Sequence, residues 1–199
     1  MLQYNLFAAG EPNVDPHASF SRLRLDDRSW VDVARHFLRG ADTLFEGLRA
    51  GIDWVQYRRH MYDRMVDDPR LSHWYGGEEP MPHPVLASVR DDLAARYGVP
   101  FAGVGLNYYR DGRDSVAYHG DTTARDLPQA LVATLSLGSP RRFLLRPTAG
   151  GRSLAFELGN GDLFVMGGTS QRTWRHGIPK VAKAGPRIAV MFRPVFSAA

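Results

Sequence analysis

Residues 130–167 read ALVATLSLGSPRRFLLRPTAGGRSLAFELGNGDLFVMG, with breaks at Gly138-Ser139-Pro140, Gly150-Gly151 and Gly159-Asn160-Gly161-Asp162 between short apolar runs. Evenly spaced runs of this length, punctuated by Gly, Pro and Asn, are the pattern of consecutive strands in an all-β sandwich or barrel. Working outward, the Asp111-Gly112 turn and the alternation on either side extend the pattern. Strands are expected at 101–109, 115–119, 130–137, 142–147, 153–158, 162–167, 172–178 and 187–195. Upstream the period changes. In PVLASVRDDLAARY (84–97), Val85, Leu86, Val89, Leu93 and Tyr97 fall on one helical face, with Pro84 just inside the start and Gly98 just past the end. Ser29 reads as an N-cap, Trp30, Val33, Phe37 and Leu38 fall at helical spacing, and Leu44, Leu48 and Ile52 continue it after Gly40, so two short helices are expected there. Helices first and many strands afterwards predict an α+β fold, a double-sheet jelly roll with the N-terminal helices packed on one face. One domain is expected over residues 1–199: an irregular arm (1–28) able to pair an edge strand, a helical part (29–98) and a jelly-roll core (99–196).

The chain has 199 residues, 44% of them hydrophobic, and no cysteine. Disulfides, thiolate metal sites, iron–sulfur clusters and Cys nucleophiles are thereby excluded, and any metal must sit on His, Asp or Glu. No apolar run is long enough to span a bilayer and the opening MLQYNLFAAGEP lacks the pattern of a signal peptide, so a cytoplasmic location with no membrane partner is expected. No obligate protein partner is inferred either. The net charge is +4, and the basic excess is almost all Arg, in clusters at 58–70, 141–152 and 172–183. Guanidinium groups suit bidentate phosphate contacts, which makes nucleic acid a candidate partner.

Chemistry concentrates in the strand half. His119 and Asp121 stand at i and i+2 at the end of a predicted strand, so both can reach one ion. A third ligand would complete the two-His, one-carboxylate arrangement that leaves positions open on non-haem Fe(II), and His176 in TWRHGIP is the natural candidate. In the last strand, RIAVMFR (187–193), Arg187, Ala189, Met191 and Arg193 share one face while Ile188, Val190 and Phe192 share the other. Two guanidinium groups inside a barrel are costly unless an anion pairs with them, and a dicarboxylate fits that need. Asn107 and Tyr109, again at i and i+2, offer an amide and a phenol to the same cavity.

These segments, NYYRDGRDSVAYHGD (107–121), SLGSPRRF (136–143) and PRIAVMFR (186–193), occur in the order and spacing of a known family. The chain resembles the AlkB-type Fe(II)/2-oxoglutarate-dependent dioxygenases, closest in motif to the subgroup of human AlkB homologues two and three. A weaker echo lies in PRLSHWYG (69–76). The resemblance implies a double-stranded β-helix with residues 29–98 as its nucleotide-recognition part, and Fe(II) and 2-oxoglutarate as cofactors. It implies that His119, Asp121 and His176 ligate iron, that Arg187, Asn107 and Tyr109 hold the distal end of 2-oxoglutarate, and that Arg193 sits near its chelating end. The implied activity is hydroxylation of an alkyl carbon on a base, followed by its loss as an aldehyde. DNA alkylation repair of 1-methyladenine or 3-methylcytosine in single strands is the leading function, and the same chemistry on transfer RNA or other RNA is the alternative.

Three departures stand out, two on the substrate side and one on the co-substrate side. The metal Asp of repair-type relatives is usually followed by acidic residues, whereas here Thr122 and Thr123 follow. Ala189 and Met191 replace a usual Asn and Thr, implying one co-substrate hydrogen bond fewer. Between Tyr75 and Pro82 the usual aromatic lid is shortened. Trp74 and Tyr75 remain as base-holding aromatics, Trp74 being equally readable as a core side chain packed on the 84–97 helix. Arg142 is read either as a substrate-backbone contact or as a solvated surface residue.

Overall fold

The computed structural model describes residues 9–61, 63–76, 79–121 and 131–194. Thr122, Thr123 and the lid residues Gly77 and Glu78 lie outside the described residues. The N-terminal half contains β1 (Asn13–Val14), β2 (Phe20–Arg24), β3 (Ser29–Ala34), β4 (Leu38–Arg39), α1 (Ala41–Gly51), β5 (Arg58–Met61), β6 (Arg64–Asp67), β7 (Leu71–Tyr75) and α2 (Pro84–Tyr97). Then follow β8 (Phe101–Tyr109), β9 (Val116–His119), β10 (Val132–Gly138), β11 (Arg141–Pro147), β12 (Leu154–Leu158) and β13 (Asp162–Gly168). A single turn, α3 (Ser170–Thr173), leads into β14 (Trp174–Ile178) and β15 (Arg187–Pro194).

The expected helix from Pro84 forms as read. Its chain leaves through Gly98 in the left-handed region at φ 67°, where a side chain would be strained, and the Gly98 N–H donates to Ala94. The eight strands from β8 onward shuttle between two sheets. One has the order β2-β3-β13-β10-β15-β8-β7, the other β12-β11-β14-β9, and the neighbouring strands within them pair antiparallel. That alternation is the double-stranded β-helix. Strands β12 and β13 touch across the two sheets, so the sandwich is joined on that side. On the other side lie the edge strands β9 and β7.

Two cores divide the burial. On one face of the seven-stranded sheet, Leu44, Phe45 and Leu48 of α1 and Leu86, Val89 and Leu93 of α2 pack on Leu135, Leu137, Ile188, Val190 and Phe192. Each such side chain contributes about 1.5–3 kcal/mol by leaving water. The other face turns Phe164, Met166 and Ala189 toward Phe143, Leu145, Trp174 and Ile178 of the four-stranded sheet. The functional cavity opens within this second core.

The N-terminal half corrects several expectations. Residues 29–34 form β3 rather than a helix, pairing with β2 and β13. Its two faces are both covered: Trp30 and Ala34 pack toward the helices and Val31 and Val33 toward the other sheet. A strand buried on both faces has no polar alternation, so its apolar residues mimic helical spacing. The arm is not irregular throughout, since Phe20–Arg24 is the edge strand β2. The described residues of 29–98 are helical only in α1 and α2, and five strands, β3 to β7, share that stretch. The strand expected from residue 172 starts at Trp174, after the α3 turn.

Candidate active site

Strand β9 sets the first two site residues. Ile178 pairs with Val116 and His176 with His119, so three steps along β9 match two along β14, a β-bulge opposite Gly177. The bulge lets Val116 and His119 both face the cavity although they are three residues apart. The ring of His119 lies 4.3 Å from that of His176, centroid to centroid. The His119 Nδ1–H donates to the Ala117 carbonyl at 2.9 Å, which in the neutral imidazole leaves the Nε2 lone pair free for a ligand. His176 is held against Phe143, the rings nearly parallel at 5.4 Å. Its Nδ1 is buried without a hydrogen-bond partner. Burial pushes its pKa down to about 3, His119 and Arg193 adding to the effect against Asp121, so it is a neutral base at physiological pH.

Residue 120 between His119 and Asp121 has to be glycine: a Cβ there would stand 2.6 Å from the Gln171 carbonyl oxygen. Beside it the Asp121 N–H donates to the side-chain oxygen of the buried Gln171 at 3.0 Å. The Asp121 carboxylate accepts two hydrogen bonds from Arg193, at 2.8 and 3.2 Å. Burial alone would raise its pKa, but Arg193 and the two histidines outweigh that and hold it below the ordinary carboxylate value. With Asp121 turned to Arg193, no group of three His, Asp or Glu side chains is gathered around a common point among the described residues.

Arg187 forms the other pole. It is 1% exposed. Its Nε donates to Ser136 Oγ at 3.0 Å, while both terminal nitrogens are buried without a partner. Burial lowers its pKa to about 10, so it keeps its charge. Tyr109 stands beside it, ring centroid 5.4 Å from the guanidinium carbon. Asn107 is already engaged, accepting from Ser72 Oγ at 2.7 Å and Arg70 Nε at 3.3 Å and donating to Met191 Sδ at 3.5 Å. All seven residues assigned from sequence to metal and co-substrate line one cavity of about 300 Å³, with Ala189 and Met191 in its wall.

Trp74 settles as a mouth residue. It lines the cavity and is 49% exposed. Its indole lies over Gly103 and Gly105 of β8; a side chain at Gly103 would strike the ring and one at Gly105 would crowd it, and Arg193 stands 5.6 Å from it. Tyr75 points the other way, toward the helix-side core. Arg142 does not reach the cavity: Phe143 and Leu145 face inward, so their neighbour faces out. Tyr57, Arg70 and Ser72 line the cavity and escaped the sequence reading. Of these, Arg70 and Ser72 had a signal, their places in the PRLSHWYG echo.

An orphaned buried guanidinium calls for an anion, and two imidazoles with a carboxylate are a donor set suited to a divalent first-row cation. The residues present therefore fit both groups. Comparison with known proteins points the same way. Residues 51–193 match the sequence model of the 2OG-Fe(II) oxygenase superfamily. The chain is 32% identical over 180 residues to a Bos taurus protein named alpha-ketoglutarate-dependent dioxygenase alkB homolog 3, covering 80% of this chain and 63% of the relative. The Homo sapiens homolog 3 is 30% identical over 188 residues, covering 84% and 64%. The Homo sapiens DNA oxidative demethylase ALKBH2 is 28% identical over 179 residues, covering 78% and 69%. The chain thus spans less than two thirds of the length of the homolog 3 proteins. With its double-stranded β-helix and its cavity of paired imidazoles and buried guanidinium, the chain belongs to the 2OG-Fe(II) oxygenase superfamily and is of the AlkB type.

Proposed function

We propose that this chain is an Fe(II)- and 2-oxoglutarate-dependent dioxygenase that oxidatively dealkylates nucleic-acid bases, with 1-methyladenine and 3-methylcytosine in single strands as the first substrates to try. The observation that carries the reading is Arg187, a buried cation with two unpartnered nitrogens in the same cavity wall as His119 and His176. A carboxylate of 2-oxoglutarate answers that demand.

His119, Asp121 and His176 would hold the metal. To do so Asp121 would give up its hydrogen bonds with Arg193, which would free Arg193 for the co-substrate. Arg187 would pair with the distal carboxylate, with Tyr109 beside it. Asn107, tied to Ser72 and Arg70, braces that wall. The chemistry supplied by bound iron, co-substrate and dioxygen is hydroxylation of the alkyl carbon, after which the group leaves as an aldehyde and the base is restored. Trp74, open on one face, offers a stacking surface for an extruded base, and such stacking tolerates any base. The relatives' printed names, dioxygenase and DNA oxidative demethylase, support the same activity.

The test is a mass spectrum of single-stranded DNA and RNA oligonucleotides carrying one 3-methylcytosine, after incubation with protein, Fe(II), ascorbate and 2-oxoglutarate. Loss of one methylene from either is the expected result, and its ratio between the two assigns DNA or RNA. No loss and no succinate would sink the proposal.

A further inference from the structure

Arg146 of β11 and Arg175 of β14 are directly opposed in the antiparallel register. Like charges so placed repel, at a cost to the sheet. Both sit on the outer face of the four-stranded sheet, since their neighbours Leu145 and His176 point inward. Arg142 shares that face, with Glu157 across from it on β12. Among the described residues neither Arg146 nor Arg175 has an ion-pair partner. Arg146 instead stands 4.4 Å over the ring of Tyr118, which fixes its guanidinium in place. Tyr118 is itself fastened by its hydroxyl to Ser153 Oγ at 3.0 Å.

This face lies one residue from the site. Tyr118 precedes His119 and Arg175 precedes His176. Strand β9 is the edge of its sheet, β7 with Trp74 is the edge of the other, and the cavity draws on both. A strand that leaves one base in the cavity can turn over the β9 edge onto the outer face.

We infer that the outer face of the four-stranded sheet is a docking track for the sugar-phosphate backbone flanking the base in the cavity, with Arg146 and Arg175 each taking a phosphate. The phosphates then stand between the two guanidinium groups as the counter-ions the fold lacks. The inference rests on the nucleic-acid reading above and names a surface which that reading does not use.

The test is equilibrium binding of an unmodified single-stranded oligonucleotide across a salt series, for wild type, R146Q/R175Q and the control R49Q/R90Q, whose substitutions remove the same charge from helices α1 and α2 on the far face of the seven-stranded sheet. Each lost phosphate contact lowers the slope of log affinity against log salt by about 0.7 for a single strand, so R146Q/R175Q is expected to lose about 1.4 and the control nothing. On a methylated oligonucleotide, KM should rise several-fold for the pair, with turnover of the methylated nucleoside, which carries no phosphate, unchanged. The charge reversal R146E/R175E should lower affinity further. An unchanged slope in R146Q/R175Q, or an equal fall in the control, would overturn the inference. Because the binding assay needs neither metal nor turnover, a lost slope with no dealkylation of any substrate would refute the proposed activity and leave the track standing.

Discussion

Among the described residues, Arg187 is the one whose chemistry is least satisfied by the protein around it. A buried cation without a counter-ion costs stability, so replacing it by an apolar side chain of similar length should leave the ligand-free protein as stable as wild type or more so. Wild type should gain about 2.7 kcal/mol from 2-oxoglutarate at a hundred times its dissociation constant in the presence of Mn(II), and R187M should gain none. Thermal unfolding with and without the two ligands measures both. A ligand-free R187M several kcal/mol weaker than wild type would make Arg187 a structural residue. At this scale the sequence was most readable. Alternation in RIAVMFR put Arg187 and Arg193 on one face, and the structure finds both in the cavity. The unreadable part was pairing: nothing in the spacing foretold that Asp121 rests on Arg193, or that Arg70 and Ser72 from β7 and its approach bind Asn107. Arg142 carried a usable signal that was blurred. Phe143 and Leu145 fix the parity of β11, but Leu144 between them is apolar too.

Among the elements, the turn from β8 to β9 controls where His119 arrives. Asp114 closes it by accepting from the Arg110 backbone N–H at 2.9 Å and from its side chain at 2.8 and 2.9 Å. Burial pushes the Asp114 carboxyl up, but the hydrogen bonds from Arg110 outweigh it and hold it below the ordinary value. A carboxyl depressed in the folded state stabilises above its unfolded pKa of about 3.9, and that contribution is lost as pH falls through the folded value. Urea midpoints should therefore drop below pH of about 4, and D114N should be weaker at neutral pH by about 1–3 kcal/mol with a shallower acid drop. An unchanged acid drop in D114N would assign the effect to other carboxylates. The elements themselves were legible wherever one period ruled. The helix from Pro84 and the strands from β8 onward show it. They were illegible where both faces are buried, as in β3, or where strands are short and exposed, as in β5 and β6.

Over the whole molecule, the scaffold and the site occupy different cores. Leu86 is fully buried between α2 and the seven-stranded sheet, in the core that does not hold the cavity. L86A should cost about 2–5 kcal/mol of stability and leave the KM for 2-oxoglutarate unchanged at temperatures where the variant is folded. A KM that rose with the loss of stability would show the two cores to be coupled. Net charge was legible from composition, but its distribution was not. Arg58, Arg59 and Arg70, which look like a basic cluster in sequence, are paired on the spot with Asp67 and Asp68, which cancel two of the three charges. Arg146 and Arg175 are far apart in sequence and meet only through strand pairing. Among the described residues no helix is long and apolar enough to cross a membrane.

The sandwich is joined where β12 meets β13, and the cavity is reached from the side where β9 and β7 are edges. An opening of that kind differs from a tunnel in what it asks of a polymer. A tunnel must be threaded from a free end, whereas a seam can be entered sideways at any point along a chain. On the proposed nucleic-acid reading, an opening of this kind would need no breaks or termini near a lesion, and would take a damaged unit in the middle of a long molecule as readily as at its tip.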